Sequence, residues 1–203
     1  MKSPLTVSRS QREKCKQEIH EIERFATEAT CYEAQGIYDA LKCFTKNIDA
    51  LGNPVVHPND ILQYRSEVEF MRRLGYRALR LVKRLYSVSI LYLESIFIAR
   101  LQKNDHMSMH ADNSKYDPAL GRWVDNHTPW RDYSAILYTS DVEGGELRFE
   151  YLDINVKPRI GKLVIFPARR EWFHGVLLIK EGIRYSCPMW FSTDKAHEMR
   201  KTP

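Results

Sequence analysis

The chain has 203 residues, 43% of them hydrophobic and 28% charged, enough for one domain with a substantial core and too apolar for a disordered polymer. Its formal charge of +5 raises the question of an acidic partner. The excess gathers at Arg72, Arg73, Arg77, Arg80, Lys83 and Arg84 with no zinc-finger, RNP-like or helix-turn-helix signature beside it, so a solvated helix face is expected and a nucleic-acid partner is not.

No apolar run approaches the roughly 18 residues of a membrane span. The start, Met-Lys-Ser-Pro-Leu-Thr-Val-Ser-Arg, carries no apolar segment, so no signal peptide is expected. Cys15, Cys31, Cys43 and Cys187 are widely spaced without a CxxC pair and read as free thiols of a reducing compartment. A cytoplasmic protein is expected. The sequon Asn126-His127-Thr128 would matter only on a secreted chain.

In chain order, Ser10 with Glu13 in capping-box register opens a predicted helix. Its apolar stripe is Cys15, Ile19, Ile22, Ala26 and Ala29, with Gly36 as an interruption and a shorter helix over 37–47. Residues 51–58 read as a loop. Asn59 or Asp60 is expected to cap a long helix with Ile61, Tyr64, Val68, Met71, Ala78, Val82 and Leu85 inside. Residues 1–86 are thus expected to form a helical support region and 87–203 a strand-rich one, within a single structural domain.

The second half begins with a β-branched and aromatic run over 88–98 and a turn at 103–105. A long irregular loop over 117–129 reads as a lid. Strands follow over 133–139, 146–151, 162–166, 172–179 and 183–192. Helices first and many short strands afterwards make the class α+β, with a sandwich or barrel.

Within this half, His110-Ala111-Asp112 on an extended strand puts an imidazole and a carboxylate on one face. With His174 they make the ligand set of the facial triad that holds non-haem Fe(II). His106 competes but has no carboxylate two residues on. On the last strand Arg184, Ser186, Pro188 and Trp190 share one face, and the more apolar set Ile183, Tyr185, Cys187, Met189 and Phe191 shares the other. A buried Arg184 needs an anion, best a carboxylate, to which hydroxyls of Ser134 and Tyr138 could add hydrogen bonds.

These stretches resemble the 2-oxoglutarate- and Fe(II)-dependent oxygenases of the prolyl-hydroxylase group, nearest to the prolyl 3-hydroxylase (leprecan) catalytic domain. The likeness lies in residues 110–113, 131–138, 143–149, 173–176 and 182–191, and extends over about 87–194. It implies a double-stranded β-helix (jelly-roll) core with His110, Asp112 and His174 as iron ligands. It also implies Arg184, helped by Tyr138, on the distal carboxylate of 2-oxoglutarate, Trp190 lining that pocket and Arg131 on the substrate side. Fe(II), 2-oxoglutarate and O2 are the expected cofactors and cosubstrates, with ascorbate as reductant. The expected reaction is hydroxylation of a residue, prolyl by the resemblance, in a peptide or protein. A small molecule such as a free amino acid is the alternative substrate, and a non-catalytic basic jelly-roll binding module the alternative of another class. Collagen-modifying members of the group reside in the endoplasmic reticulum, a location open to this sequence if it is a fragment of a longer chain.

Overall fold

The computed structural model describes residues 7–199. Three helices lie in the first half: α1 (Arg9–Gln17), α2 (Glu28–Leu41) and α3 (Arg65–Leu85). A short strand, β1 (His20–Ile22), separates the first two. The strands of the second half are β2 (Tyr92–Ile96), β3 (Ala99–Gln102), β4 (Met107–His110), β5 (Ser114–Asp117), β6 (Arg122–Asp125), β7 (Tyr133–Tyr138) and β8 (Glu143–Gly144). They continue with β9 (Leu147–Phe149), β10 (Ile154–Val156), β11 (Leu163–Pro167), β12 (His174–Val176), β13 (Ile179–Glu181) and β14 (Ile183–Ser192).

The major sheet runs β1-β11-β7-β14-β2, with β3 pairing the other end of β14; the minor sheet runs β10-β9-β12-β4. All pairings are antiparallel. The two sheets form the double-stranded β-helix that the family resemblance implies. Helices α2 and α3 cover the outer face of the major sheet in one shared core, where Cys31, Tyr38, Met71 and Val82 meet Leu137, Cys187, Met189 and Phe191. A second core between the sheets gathers Tyr138, Leu147, Phe149, Phe166 and Trp172. The alternation expected of β14 therefore holds: Cys187, Met189 and Phe191 go to the helices, and Arg184, Ser186, Pro188 and Trp190 go to the cavity between the sheets.

The helical half departs from expectation at its ends. Helix α1 is capped by Ser8, whose hydroxyl accepts from the Gln11 amide, and Ser10 lies inside the helix. The predicted stripe from Cys15 to Ala29 is cut because its members serve different cores, Cys15 and Ile19 between the sheets and Ile22 and Ala26 under the helices. Residues 20–22 leave the helical path to pair with the edge of β11, where Lys162, buried, takes Glu21 and Glu23 at 2.7 and 3.0 Å. Thr27 then caps α2, which runs through Gly36. Asn59 and Asp60 belong to a short 3-10 turn capped by His57, and the Asp60 carboxylate accepts from Thr45 and Asn47 instead of capping α3. The expected irregular loop over 117–129 is largely a hairpin, β5 paired with β6 from Ser114↔Asp125 to Asp117↔Arg122.

Candidate functional site

Strands β4 and β12 are antiparallel neighbours whose register sets His174 opposite His110. Gly175 makes this approach possible: a Cβ there would meet the Met107 carbonyl at 2.7 Å and the Met109 sulfur at 2.9 Å. Asp112 lies just past the end of β4 rather than on the strand itself, and it turns its carboxylate back toward both rings. His110 Nε2 is 3.7 Å from Asp112 Oδ1, and His174 Nε2 is 3.7 Å from Oδ2. One ligand atom from each of the three residues lies within 4.8 Å of the others, the one such His/Cys/Asp/Glu group among the described residues. His106 is exposed and outside it.

The ring orientation has a local cause. His110 Nδ1 lies 2.9 Å from the Ser108 carbonyl and His174 Nδ1 2.8 Å from the Trp172 carbonyl. A carbonyl only accepts, so each Nδ1 carries the proton and each Nε2 points its lone pair at the centre. Burial, with His110 beside it, pushes His174 down to about 4, so its ring is neutral near pH 7. Burial by itself would raise the Asp112 carboxyl. The facing His174 and His110 and a 2.6 Å hydrogen bond from Ser134 Oγ outweigh it and hold the group below its ordinary value.

Ser134 is therefore engaged with Asp112, not with an anion beside Arg184 as its place on β7 suggested. Register explains this: Ser134 pairs with Trp190 and Tyr138 with Ser186, at opposite ends of the inward face of β7. Arg184 and Tyr138 meet at the other end, the guanidinium carbon 5.0 Å from the ring centroid. Arg184 is 3% exposed and donates from Nη1 to Ser186 Oγ at 3.1 Å, while its Nε and Nη2 and the Tyr138 hydroxyl are buried without a protein hydrogen-bond partner. Burial pulls this guanidinium below its ordinary value and pushes the Tyr138 phenol up. A buried cation with two unused donors is an anion site. Gly145, in the left-handed region at φ +66°, leaves the room Arg184 needs, since a Cβ there would sit 3.2 Å from Arg184 Cδ. The triad, Arg184, Ser134 and Trp190 line one cavity of about 90 Å3.

Trp190 stacks at a tilt on Phe97 with centroids 5.2 Å apart, and Arg131 lies 4.0 Å over its indole. Arg131 is paired with Glu94 at 3.2 Å, a partner 37 positions earlier that no motif marks. Also unforeseen is the clamp on the Asp112 backbone. Thr128 Oγ1 donates to the Asp112 carbonyl at 2.8 Å, and Asn126 Nδ2 reaches the carbonyls of Ala111 and Asp112 at 3.3 and 3.2 Å. The sequon residues thus fasten the neck of the β5–β6 hairpin to the carboxylate-bearing turn.

Comparison with known proteins agrees with this geometry. Residues 96–192 match the family model of the 2OG-Fe(II) oxygenase superfamily. Prolyl 3-hydroxylase 2 of Gallus gallus is 37% identical over 94 residues, 42% of this chain and 14% of that protein. A PKHD-type hydroxylase of a Synechococcus strain is 32% identical over 108 residues, 50% of this chain and 42% of that protein. The chain thus spans about one seventh of the length of the prolyl 3-hydroxylases it matches. Among solved structures, the viral collagen prolyl hydroxylase of Paramecium bursaria Chlorella virus-1, in its 2-oxoglutarate complex, superposes with a TM-score of 0.65 at 17% identity, covering 88% of this chain and 97% of the other. HygX of Streptomyces hygroscopicus, with nickel and 2-oxoglutarate bound, gives 0.62 at 15% identity over 92% and 87%. At such identities the likeness is one of fold. The matched segment, residues 96–192, contains His110, Asp112, His174 and Arg184, and over it the chain is similar to the 2OG-Fe(II) oxygenase superfamily and to prolyl hydroxylases within it.

Proposed function

We propose that this protein is an Fe(II)- and 2-oxoglutarate-dependent dioxygenase that hydroxylates a residue, prolyl by its relatives, in a peptide or protein. The observation that carries the reading is the pairing of the His110–Asp112–His174 cluster with the unpartnered donors of Arg184 in one cavity. Two imidazoles and a carboxylate suit a divalent first-row metal and leave positions open for cosubstrate and dioxygen. The buried donors of Arg184 and Tyr138 suit the distal carboxylate of a diacid. When bound, iron and 2-oxoglutarate would supply the oxidative chemistry, in which 2-oxoglutarate loses carbon dioxide, one atom of dioxygen goes into the succinate formed and the other into a C–H bond of the substrate.

The chain's own residues do the rest. His110, Asp112 and His174 would hold the metal, and the Ser108 and Trp172 carbonyls and the Ser134 hydroxyl keep those side chains aimed. Arg184 and Tyr138 would hold the diacid, and Ser186 orients the guanidinium. Trp190 would line the cosubstrate pocket and Arg131, paired with Glu94 and lying over the indole, would stand on the substrate side. We read residues 1–86 as support for the major sheet, through the core that α2 and α3 share with it. Four unpaired cysteines suit a reducing, cytoplasmic setting. Ascorbate is the expected reductant.

Purified protein supplied with Fe(II), ascorbate and 2-oxoglutarate should release succinate, and Asp112→Ala should abolish it. Release by wild type at no more than the protein-free rate would overturn the proposal.

A further inference from the structure

Resting on the proposed function, we infer that the loop over 45–56 and its flanks form a preformed docking rim for an apolar, non-acidic segment of a protein substrate next to the reacting residue. The cavity of about 90 Å3 is smaller than the roughly 300–1,000 Å3 of sites that enclose a small ligand. All but the reacting group of a substrate must therefore lie outside it.

What adjoins it there comes from the first half of the chain, beyond the family segment. Asp49 lines the same cavity as the His110–Asp112–His174 cluster and Arg184. The neighbours of Asp49 expose large apolar side chains: Ile48 is 66% and Leu51 43% exposed, with Phe44 at 49% and Leu62 at 44% on the flanks. Exposed apolar groups gathered beside a site mark a contact surface more often than scattered ones do.

The loop is rigidly built. Asp49 Oδ1 accepts from the amides of Leu51 and Asn53, both at 2.9 Å, and Asp49 N donates to the Asn53 carbonyl at 2.8 Å. Thr45 and Asn47 are tied to Asp60 at 2.6 and 2.7 Å, and Val56 bridges to Ile98, one residue from the cavity-lining Phe97 and Ala99. A turn so held presents Ile48 and Leu51 with little ordering cost on contact, which favours binding. The Asp49 carboxylate repels an acidic side chain at this rim, so the occupant is apolar and uncharged or basic there.

The test is a synthetic array of peptides with one central proline and single flanking positions changed to Leu, Ser, Lys or Asp, read as +16 product. Wild type should show, on one flank, about tenfold higher kcat/KM for Leu than for Ser and lower values for Asp. Ile48→Ser/Leu51→Ser, both at exposed positions, should remove that preference by raising KM while leaving peptide-free succinate release unchanged. Ile48→Val/Leu51→Met should restore it. Equal use of all flanks, no change in the Ser variant, or succinate release with no peptide product would overturn the docking rim and leave the oxygenase reading standing. Absence of both succinate and product would overturn the oxygenase reading and the rim with it.

Discussion

Replacing Arg184 with methionine should strengthen the fold and weaken the site at once. The side chain is 3% exposed, makes one hydrogen bond to Ser186, and leaves Nε and Nη2 without protein partners. A buried charge of this kind costs several kcal/mol of desolvation, and exchange for an apolar side chain of similar length often stabilises by about 1–4 kcal/mol. The same change removes the one Lys or Arg among the described residues that line the cavity. Losing one partner of a buried, hydrogen-bonded charge pair costs about 2–5 kcal/mol, or roughly 30-fold to several-thousand-fold in 2-oxoglutarate affinity. Urea unfolding of wild type and Arg184→Met should be measured with and without saturating 2-oxoglutarate and Mn(II). Wild type should gain stability from the diacid, about 2.7 kcal/mol at a hundred times its Kd, and the variant should start higher and gain little. A variant that is destabilised without ligand and still stabilised by 2-oxoglutarate would refute the reasoning.

Ser134→Ala removes the 2.6 Å hydrogen bond to Asp112 Oδ2 and should weaken metal binding by about 10- to 100-fold, measured by titration with Mn(II). Thr128→Val removes the 2.8 Å donor to the Asp112 carbonyl, which keeps Asn126 Nδ2 at 3.2 Å, and should cost about 0.5–1.5 kcal/mol in denaturant unfolding, with Thr128→Ser close to wild type. Buried Cys15, Cys31 and Cys187 have raised pKa values, Cys31 to about 11, so a thiol reagent at pH 8 should label only the exposed Cys43 in the native protein and all four after unfolding. His174 is held down to about 4 in the fold against 6.5, so the unfolded chain binds the extra proton between those values. The stability this group contributes is complete above pH 6.5 and lost as pH falls toward 4, by up to roughly 3 kcal/mol in metal-free protein. His174→Leu should flatten that part of the pH–stability curve.

The strand-rich half was legible because period-2 alternation has few readings. The faces of β14 could be assigned from Cys187, Met189 and Phe191 alone, and the helices that cover them confirm which face is outer. The helical half was legible in class but not at its boundaries. An apolar stripe from Cys15 to Ala29 looks continuous when its members in fact pack into two cores, and only the sheet edge at β11 decides that residues 20–22 become a strand. Hairpin β5–β6 escaped notice because its two strands are four residues each and their few apolar members, Tyr116, Trp123 and Val124, show no period-2 alternation. In the cavity, residue types and order indicated the cluster and Arg184, but Ser134 shows how face and position differ. It shares the inward face of β7 with Tyr138, yet four residues of strand rise put it at Asp112. Glu94 bears no motif and the sequon of Asn126 and Thr128 points to a different chemistry, so their roles exist only once the turn after β4 is closed.

The central claim is that His110, Asp112 and His174 form a metal site on which 2-oxoglutarate binding depends. Calorimetric titration of metal-free protein with Mn(II), wild type beside Asp112→Asn, addresses it most directly. One ion should bind per wild-type chain, 2-oxoglutarate should bind only after the metal is present, and both should be lost in the variant. Equal metal binding by the two proteins, or diacid binding indifferent to metal, would contradict it.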